Sequence, residues 1–199
     1  MKYLLVLLIF LFTFISISQE RYHRDKTTID LYDTIVYLRF DMKPLNGIVY
    51  GEFGEFGNYI DGKKDGLHRR WYENGQLEEE SNYLNNSLTG LYKRWNENGL
   101  LYWESNHKNG KRDGQIREWY ENGQLKYECF IKDGNTEGLY RTWYENGQLE
   151  YESFRKDGKR DGQVREWYEN GQLKKETNFK NGEQEGQSRS WKENGVLEE

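Results

Sequence analysis

From residue 66 onward, apolar and aromatic residues occur in short segments that lack the 3.6-residue spacing of an amphipathic helix. In residues 114–137, GQIREWYENGQLKYECFIKDGNTE, the segments QIREWYE and QLKYECFI mix aromatic, β-branched and charged residues, a composition typical of strands. Asn-Gly separates the two segments, and a turn rich in Gly, Asn and Asp follows the second. The pattern therefore predicts a strand, a tight turn, a second strand and a looser turn.

The same pattern returns at a fixed interval of 24 residues, and the heptapeptide WYENGQL occurs unchanged at 71, 119, 143 and 167. Six tryptophans mark the period: Trp71, Trp95, Trp119, Trp143, Trp167 and Trp191. A repeat of this length indicates an array in which each unit packs on its neighbours. Neither face of the predicted strands is cleanly apolar, as a two-layer sandwich would require. We therefore expect an all-β repeat array of tandem antiparallel β-hairpins that forms one extended single-layer meander sheet.

The strand register follows from the turn that is assumed at Asn-Gly. A two-residue type I′ turn, the turn that Asn-Gly favours, places Trp119 opposite Lys126 and Arg117 opposite Glu128. Equivalent positions carry opposite charges in five repeats, as cross-strand pairing favours. A three-residue loop with a bulge would place Trp119 opposite Leu125 and break this charge match, so we favour the two-residue turn. In this register the Tyr and Trp positions fall on opposite faces.

The chain ends differ from the array. Residues 1–18 carry one lysine, an apolar run of about 15 residues and small residues near Ser18, which predicts a secretory signal peptide cleaved after Ser18. The alternative is a retained membrane anchor, but the run is shorter than the roughly 20 residues that a spanning helix needs. We expect an N-terminal cap segment at 19–46, a degenerate first repeat at 47–65, and five full repeats plus a truncated sixth at 66–199. The protein is then exported to the periplasm, the cell surface or the medium.

Composition restricts the possible partners. The formal net charge is −5 and no basic stripe is present, which argues against a nucleic-acid partner and against attraction to anionic lipid. The single cysteine, Cys129, excludes an intrachain disulfide framework. Aromatic residues make up 16% of the chain, and we expect their rings to supply the buried area that its few aliphatic residues do not.

The repeat resembles the MORN-repeat variant family of bacterial tandem β-hairpin proteins, often described as toxin–antitoxin antitoxins. The matching features are G-x-x-R-x-W-Y-E-N-G-Q-L-K-x-E followed by Y/F-K-N/D-G-K-x-D-G, over residues 47–199. The resemblance implies a hairpin array and a protein-interaction role that is antitoxin-like. The Y-x-G-x-W core of classical MORN repeats is absent, so their lipid-binding properties do not transfer.

Candidate chemistry is sparse. A motif repeated six times is normally architecture, whereas catalysis needs one converging constellation. His23, His68 and His107 are isolated and show no zinc-ligand spacing. We expect no enzyme activity, no cofactor and no metal.

Function should therefore lie in the surface. We expect an exported interaction module with an unknown protein partner. The alternative is cell-wall or carbohydrate binding through the repeated Trp/Tyr stripe, with the six tryptophans as the platform. The choline-binding and cell-wall-binding repeats of secreted bacterial proteins also read W-Y-x-x-N-G, but they lack this period.

Overall fold

The computed structural model describes residues 19–29, 36–38 and 43–198. Within these residues, fourteen strands form one sheet, and two short strands, the second and third along the chain, form a separate pair. In the large sheet the first strand lies parallel to the fourth, and from the fourth onward each strand pairs antiparallel with the next along the chain. The predicted all-β array of tandem hairpins in one single-layer meander sheet is confirmed.

The N-terminal strands are β1 (Arg21–His23), β2 (Thr27–Ile29), β3 (Val36–Leu38), β4 (Gly47–Gly51) and β5 (Gly54–Ile60), with a 3-10 turn at Arg24–Lys26. The strands of the regular array are β6 (Lys63–Trp71), β7 (Leu77–Leu84), β8 (Ser87–Trp95), β9 (Leu101–Lys108), β10 (Lys111–Trp119), β11 (Leu125–Lys132), β12 (Asn135–Trp143), β13 (Leu149–Lys156), β14 (Lys159–Trp167), β15 (Leu173–Lys180) and β16 (Glu183–Ser190).

The aliphatic core lies at the N-terminal end of the sheet. Val36, Leu45 and Val49 are buried there, and Leu45 is fully enclosed. The Leu45 amide donates to the Val36 carbonyl at 2.8 Å, and the Gly62 amide donates to the Leu45 carbonyl at 2.7 Å. These bonds attach the segment before β4 to the turn between β5 and β6. The predicted signal peptide, residues 1–18, lies outside the described residues.

The two kinds of turn are exchanged relative to the prediction. At the Asn-Gly turn the Gly123 amide donates to the Tyr120 carbonyl and the Tyr120 amide donates to the Gln124 carbonyl, both at 2.9 Å. Gly123 has a φ of +83°, whereas Asn122 is not among the residues with positive φ. This is a type I turn closed by a left-handed glycine, and the predicted two-residue type I′ turn at Asn-Gly is wrong.

The type I′ geometry occurs instead at the turn that we expected to be looser. Asp133 and Gly134 have φ values of +49° and +83°, and the flanking residues Lys132 and Asn135 are paired. Positive φ at both central positions defines the two-residue type I′ hairpin. Each repeat therefore contains one three-residue loop and one two-residue loop.

The register is partly as predicted. Trp119 lies opposite Leu125, not opposite Lys126, and Arg117 lies opposite Glu128 as expected. A β-bulge at Lys126 absorbs the extra loop residue, because two residues of β11 then stand against one of β10. The charge match therefore coexists with the three-residue loop that we expected to break it.

Two rows of side chains run across the strands on opposite faces. One row, which we call the spine, alternates small and large residues. The spine consists of Gly57, His68, Ser81, Tyr92, Ser105, Ile116, Cys129, Tyr140, Ser153, Val164 and Thr177. Most of its members are buried, so the array has a one-row core.

The opposite face carries a row of alternating charge, which we call the ladder. It consists of Arg69, Glu80, Lys93, Glu104, Arg117, Glu128, Arg141, Glu152, Arg165, Glu176 and Arg189. Arg141 shows its geometry, since it contacts Glu128 at 3.6 Å on one side and Glu152 at 2.7 Å on the other. Because these pairs are partly exposed, each contributes about 0.2–1 kcal/mol, and the ladder mainly enforces register.

Candidate functional site

The repeated heptapeptide links each repeat to the next. The Tyr144 hydroxyl donates to the Trp167 carbonyl at 2.7 Å, and Asn146 Nδ2 donates to the Glu169 carbonyl at 2.8 Å. The same two bonds join the loops at 72–74 to 95–97, at 120–122 to 143–145 and at 168–170 to 191–193. The Tyr and Asn of WYENGQL therefore have a structural use, and we call each pair of bonds a loop staple.

The six predicted stripe tryptophans occupy equivalent places beside these loops. The first five end strands β6, β8, β10, β12 and β14, and Trp191 forms an isolated bridge with Leu197. All six are half-buried. The carbonyl groups of four of them accept the staple bonds. Their use as a binding platform stays a prediction.

An open groove crosses the spine face. Two adjoining depressions share Tyr140, Thr142 and Glu150, and together they extend from Trp103 on β9 to Lys174 near the start of β15. Six strand spacings of about 4.8 Å give a length of roughly 29 Å. An extended polypeptide of about eight or nine residues has this length.

Tyrosine rings form the floor of this groove. Tyr140 makes edge-to-face contacts with Tyr127 and Tyr151, at centroid distances of 5.3 and 5.8 Å. Burial raises the pKa of Tyr140 above its usual value, so its hydroxyl is a neutral hydrogen-bonding group at neutral pH. The sequence indicates alternating faces but not this contact set, because the bulges decide which rings meet.

Cys129 lies in the spine beside the groove. It is 2% exposed, and its Sγ lies 2.7 Å from the Tyr127 hydroxyl. Burial raises the pKa of the Cys129 thiol. A reactive cysteine has the opposite properties, a lowered pKa and partial exposure.

Two arginines stand in the groove on adjacent strands. Arg155 and Arg160 are directly opposite each other in the register of β13 and β14. The Arg155 guanidinium lies 4.6 Å from the Tyr140 ring centroid, and the Arg160 guanidinium lies 5.9 Å from Tyr151 and 5.1 Å from Phe179. Within the described part of the chain, neither guanidinium has an ion-pair partner.

Three polar atoms on β13 are buried without hydrogen-bond partners among the described residues. They are the Tyr151 hydroxyl, Ser153 Oγ and Arg155 Nε, which follow one another along the spine face of the strand. Leaving such a group unpaired costs about 1–3 kcal/mol. Unpaired polar groups are rare in structural positions, so this strand is the most unusual part of the groove.

The described residues contain no group of three or more His, Cys, Asp and Glu side chains that could hold a metal ion. No helix in the described ranges is both long and apolar enough to cross a membrane.

The ladder face carries an exposed apolar patch formed by Phe130, Leu139 and Phe154, which are 43–45% exposed. Leu139 and Phe154 are paired across β12 and β13. This patch is shorter than the groove, and the ladder that borders it is already satisfied by its own ion pairs. The groove is therefore the stronger candidate site.

Comparison with known families identifies individual hairpins. A family model described as MORN repeat variant matches residues 64–85, 112–133, 136–157 and 160–181. No curated protein matches the chain. Each matched segment covers one hairpin with its three-residue loop. The hairpin at 88–109 lies between two matches, and it carries Asn96 and Leu100 where the heptapeptide has Tyr and Gln.

Proposed function

We propose, from the premise that the chain belongs to the MORN repeat variant family, that it is a non-enzymatic module whose groove binds an extended segment of a partner protein. Repeats of this family are consistent with a protein-interaction module. Stacked repeats of this kind provide a long regular surface, which suits recognition of an extended chain.

The groove carries this proposal. It is continuous over seven strands, β9 to β15, and it combines tyrosine rings with hydrogen-bonding groups from Thr142, Glu150 and Arg155. Tyr and Arg are enriched at protein interfaces because they offer large contact area together with polar groups. A long groove that combines aromatic and polar groups matches an extended peptide better than it matches a globular surface.

Panning a phage-displayed random peptide library on the purified chain tests the proposal. We expect enriched peptides whose binding is lost in a Tyr140→Ala plus Tyr151→Ala variant. The matched control is Phe130→Ala plus Phe154→Ala, which removes two rings from the ladder face and should leave binding unchanged. Failure to enrich any peptide, or loss of binding only in the control variant, would refute the groove as the site.

Carbohydrate or cell-wall binding is the second candidate. It is favoured by the six half-buried tryptophans, which recur on every second strand at intervals of roughly 10 Å. Binding of the purified chain to isolated cell wall, lost in a Trp119→Ala plus Trp143→Ala variant, would support it. Retained peptide binding in the same variant would separate the two functions.

We also propose that the protein acts outside the cytoplasm after removal of residues 1–18. Mass spectrometry of the protein recovered from the producing cells tests this, since cleavage after Ser18 leaves Gln19 at the N-terminus. An intact N-terminus in the cytoplasmic fraction would instead favour the antitoxin role that the family resemblance implies.

A further inference from the structure

The Arg155–Arg160 pair departs from the pattern at its own position in the repeat. Two lysine pairs that flank two-residue turns, Lys108–Lys111 and Lys156–Lys159, also face each other, but Arg155 and Arg160 lie one step further into the strands. Like charges directly opposite each other destabilise a strand pair, and the ladder on the other face avoids this arrangement throughout. The equivalent positions in the other regular repeats hold uncharged pairs or a single arginine with a histidine. These pairs are Tyr83 with Leu88, His107 with Arg112, Ile131 with Thr136, and Phe179 with Gln184.

The two guanidinium groups are held in place by aromatic rings and not by carboxylates. Arg155 lies over Tyr140, and Arg160 lies near Tyr151 and Phe179. Contacts of this kind fix the plane of a guanidinium. Because Arg155 Nε is buried, the terminal Nη groups are the donors that Arg155 can offer to a ligand. A fixed and available edge is the form in which arginine binds a carboxylate through two parallel hydrogen bonds.

The surroundings limit the charge that the pair can accept. Glu150 and Glu166 line the same depression, and Glu150 already accepts a hydrogen bond from the Thr142 hydroxyl at 2.9 Å. The negative charges of Glu150 and Glu166 repel a doubly charged phosphate ligand more strongly than a singly charged carboxylate ligand. The formal net charge of −5 repels anions at long range, so a preference for an acidic ligand must come from local cations. These are the two arginines and Lys174, which lines the same depression.

We propose that Arg155 and Arg160 together form a subsite that binds an Asp or Glu carboxylate of the partner segment. This inference rests on the proposed function, because it assigns the chemistry of one position in the bound peptide. The negative charge of the ligand carboxylate offsets the mutual repulsion of the two facing guanidinium groups in the complex.

Fluorescence anisotropy with two labelled peptides tests the subsite. One peptide alternates Glu and Val, and the other has Gln at each Glu position. We expect the purified chain to bind the Glu peptide at least about tenfold more tightly than the Gln peptide, which is the usual size of one charge-assisted contact. Arg155→Gln and Arg160→Gln should each reduce this preference to about twofold or less.

Arg112→Gln is the matched control. Arg112 lies in the same row of the same face and contacts the Trp103 ring at 5.0 Å, but it faces His107 and not a second arginine. This variant has the same change in net charge and should keep the tenfold preference. An equal loss in Arg112→Gln, or no loss in the other two variants, would overturn the assignment.

Three further results separate this inference from the proposed function. First, Arg155→Gln should unfold at the same temperature as the parent or at a higher one, because it removes the repulsion between the two guanidinium groups. A lower unfolding temperature together with lost binding would instead indicate that Arg155 has a structural role. A phosphoserine peptide that binds more tightly than the Glu peptide would overturn the carboxylate assignment. Library peptides that need Tyr140 and Tyr151 but show no acidic preference would refute the subsite and leave the groove intact.

Discussion

His68 is the most constrained ionisable residue of the spine. Its ring is 5% exposed, and its Nε2 lies 2.7 Å from the Asn58 carbonyl. On one side it packs against Gly57, where an added Cβ would lie 2.2 Å from the His68 Nδ1. Burial lowers the pKa of His68 from 6.5 to about 4. The folded protein therefore holds this imidazole in its neutral form at neutral pH.

Acidification should destabilise the protein through His68. Between pH 6.5 and 4 the unfolded chain binds a proton at this residue that the folded chain does not, so the stability present above pH 6.5 is lost as the pH falls. The expected loss at pH 5 is about 2 kcal/mol. Thermal unfolding at pH 7.5 and 5 measures it.

The control for this prediction is His68→Ile, which places at this position the residue that occupies position 116 of the spine. Its unfolding temperature should vary less with pH than that of the parent. Some dependence should remain, because burial also lowers the pKa of His107. Equal pH dependence in parent and variant would show that His68 is not responsible.

At the scale of the element, a hairpin is held to the next one by its loop as well as by its strands. The Tyr144 staple bond spans 23 residues and reaches a backbone carbonyl of the following repeat. The Asn146 side chain acts on both sides, since its Oδ1 accepts from the Gln148 amide and its Nδ2 donates to the Glu169 carbonyl. The heptapeptide recurs because the Tyr and Asn side chains of one copy bond to backbone carbonyl groups of the following repeat.

Tyr144→Phe should therefore lower the free energy of unfolding by about 1 kcal/mol, because it removes one hydrogen-bond donor while the ring stays in place. The matched control is Tyr151→Phe, since the Tyr151 hydroxyl is buried without a partner among the described residues. That substitution should be neutral or stabilising. Urea unfolding measures both variants, and equal destabilisation would contradict the role of the staple.

The turns show how far the sequence can predict these elements. The period, the strands and the Arg117–Glu128 pair follow from spacing and charge alone. The turn type does not, because Asn-Gly suits both a type I′ turn and a type I turn that ends in a left-handed glycine. In the folded protein Asn122 Oδ1 accepts a hydrogen bond from the Gln124 amide, which fits the three-residue loop. The contact with the next repeat is not needed for this turn, because the loop at 95–99 has the same backbone bonds without a staple. The Asn-Gly dipeptide alone does not show which turn its side chain will favour.

The groove was beyond prediction for a related reason. The sequence places Tyr140 on one face of a strand, but the neighbours of Tyr140 depend on two bulges for each hairpin pair. A shift of one residue would exchange the faces. The pairing of Arg155 with Arg160 likewise depends on the bulge between Ser153 and Arg155.

At the scale of the whole molecule, the protein is a linear array whose stability is a sum over neighbouring hairpins. Such an array opens first at its weakest junction. One junction lacks the loop staple: Asn96 replaces the tyrosine in the loop at 95–99, and this loop makes neither staple bond to the loop at 119–123. All residues of both loops are described. The region around β9 and β10 should therefore be the least protected part of the regular array.

Asn96→Tyr should repair this junction. The new hydroxyl would have the Trp119 carbonyl as its acceptor, by analogy with Tyr72 and Trp95. The Asn96 Oδ1 bond to the Leu100 amide, at 3.0 Å, would be lost, and the Asn98 side chain could replace it as Asn74 does for Gln76. We expect a net gain of about 1 kcal/mol in the free energy of unfolding, seen as slower hydrogen exchange of the amides in β9 and β10.

The control is Asn96→Phe, which adds the ring without the hydroxyl and should give less protection. If exchange in the parent were uniform across repeats, or if both variants protected β9 and β10 equally, the missing staple would not be the weak point of the array.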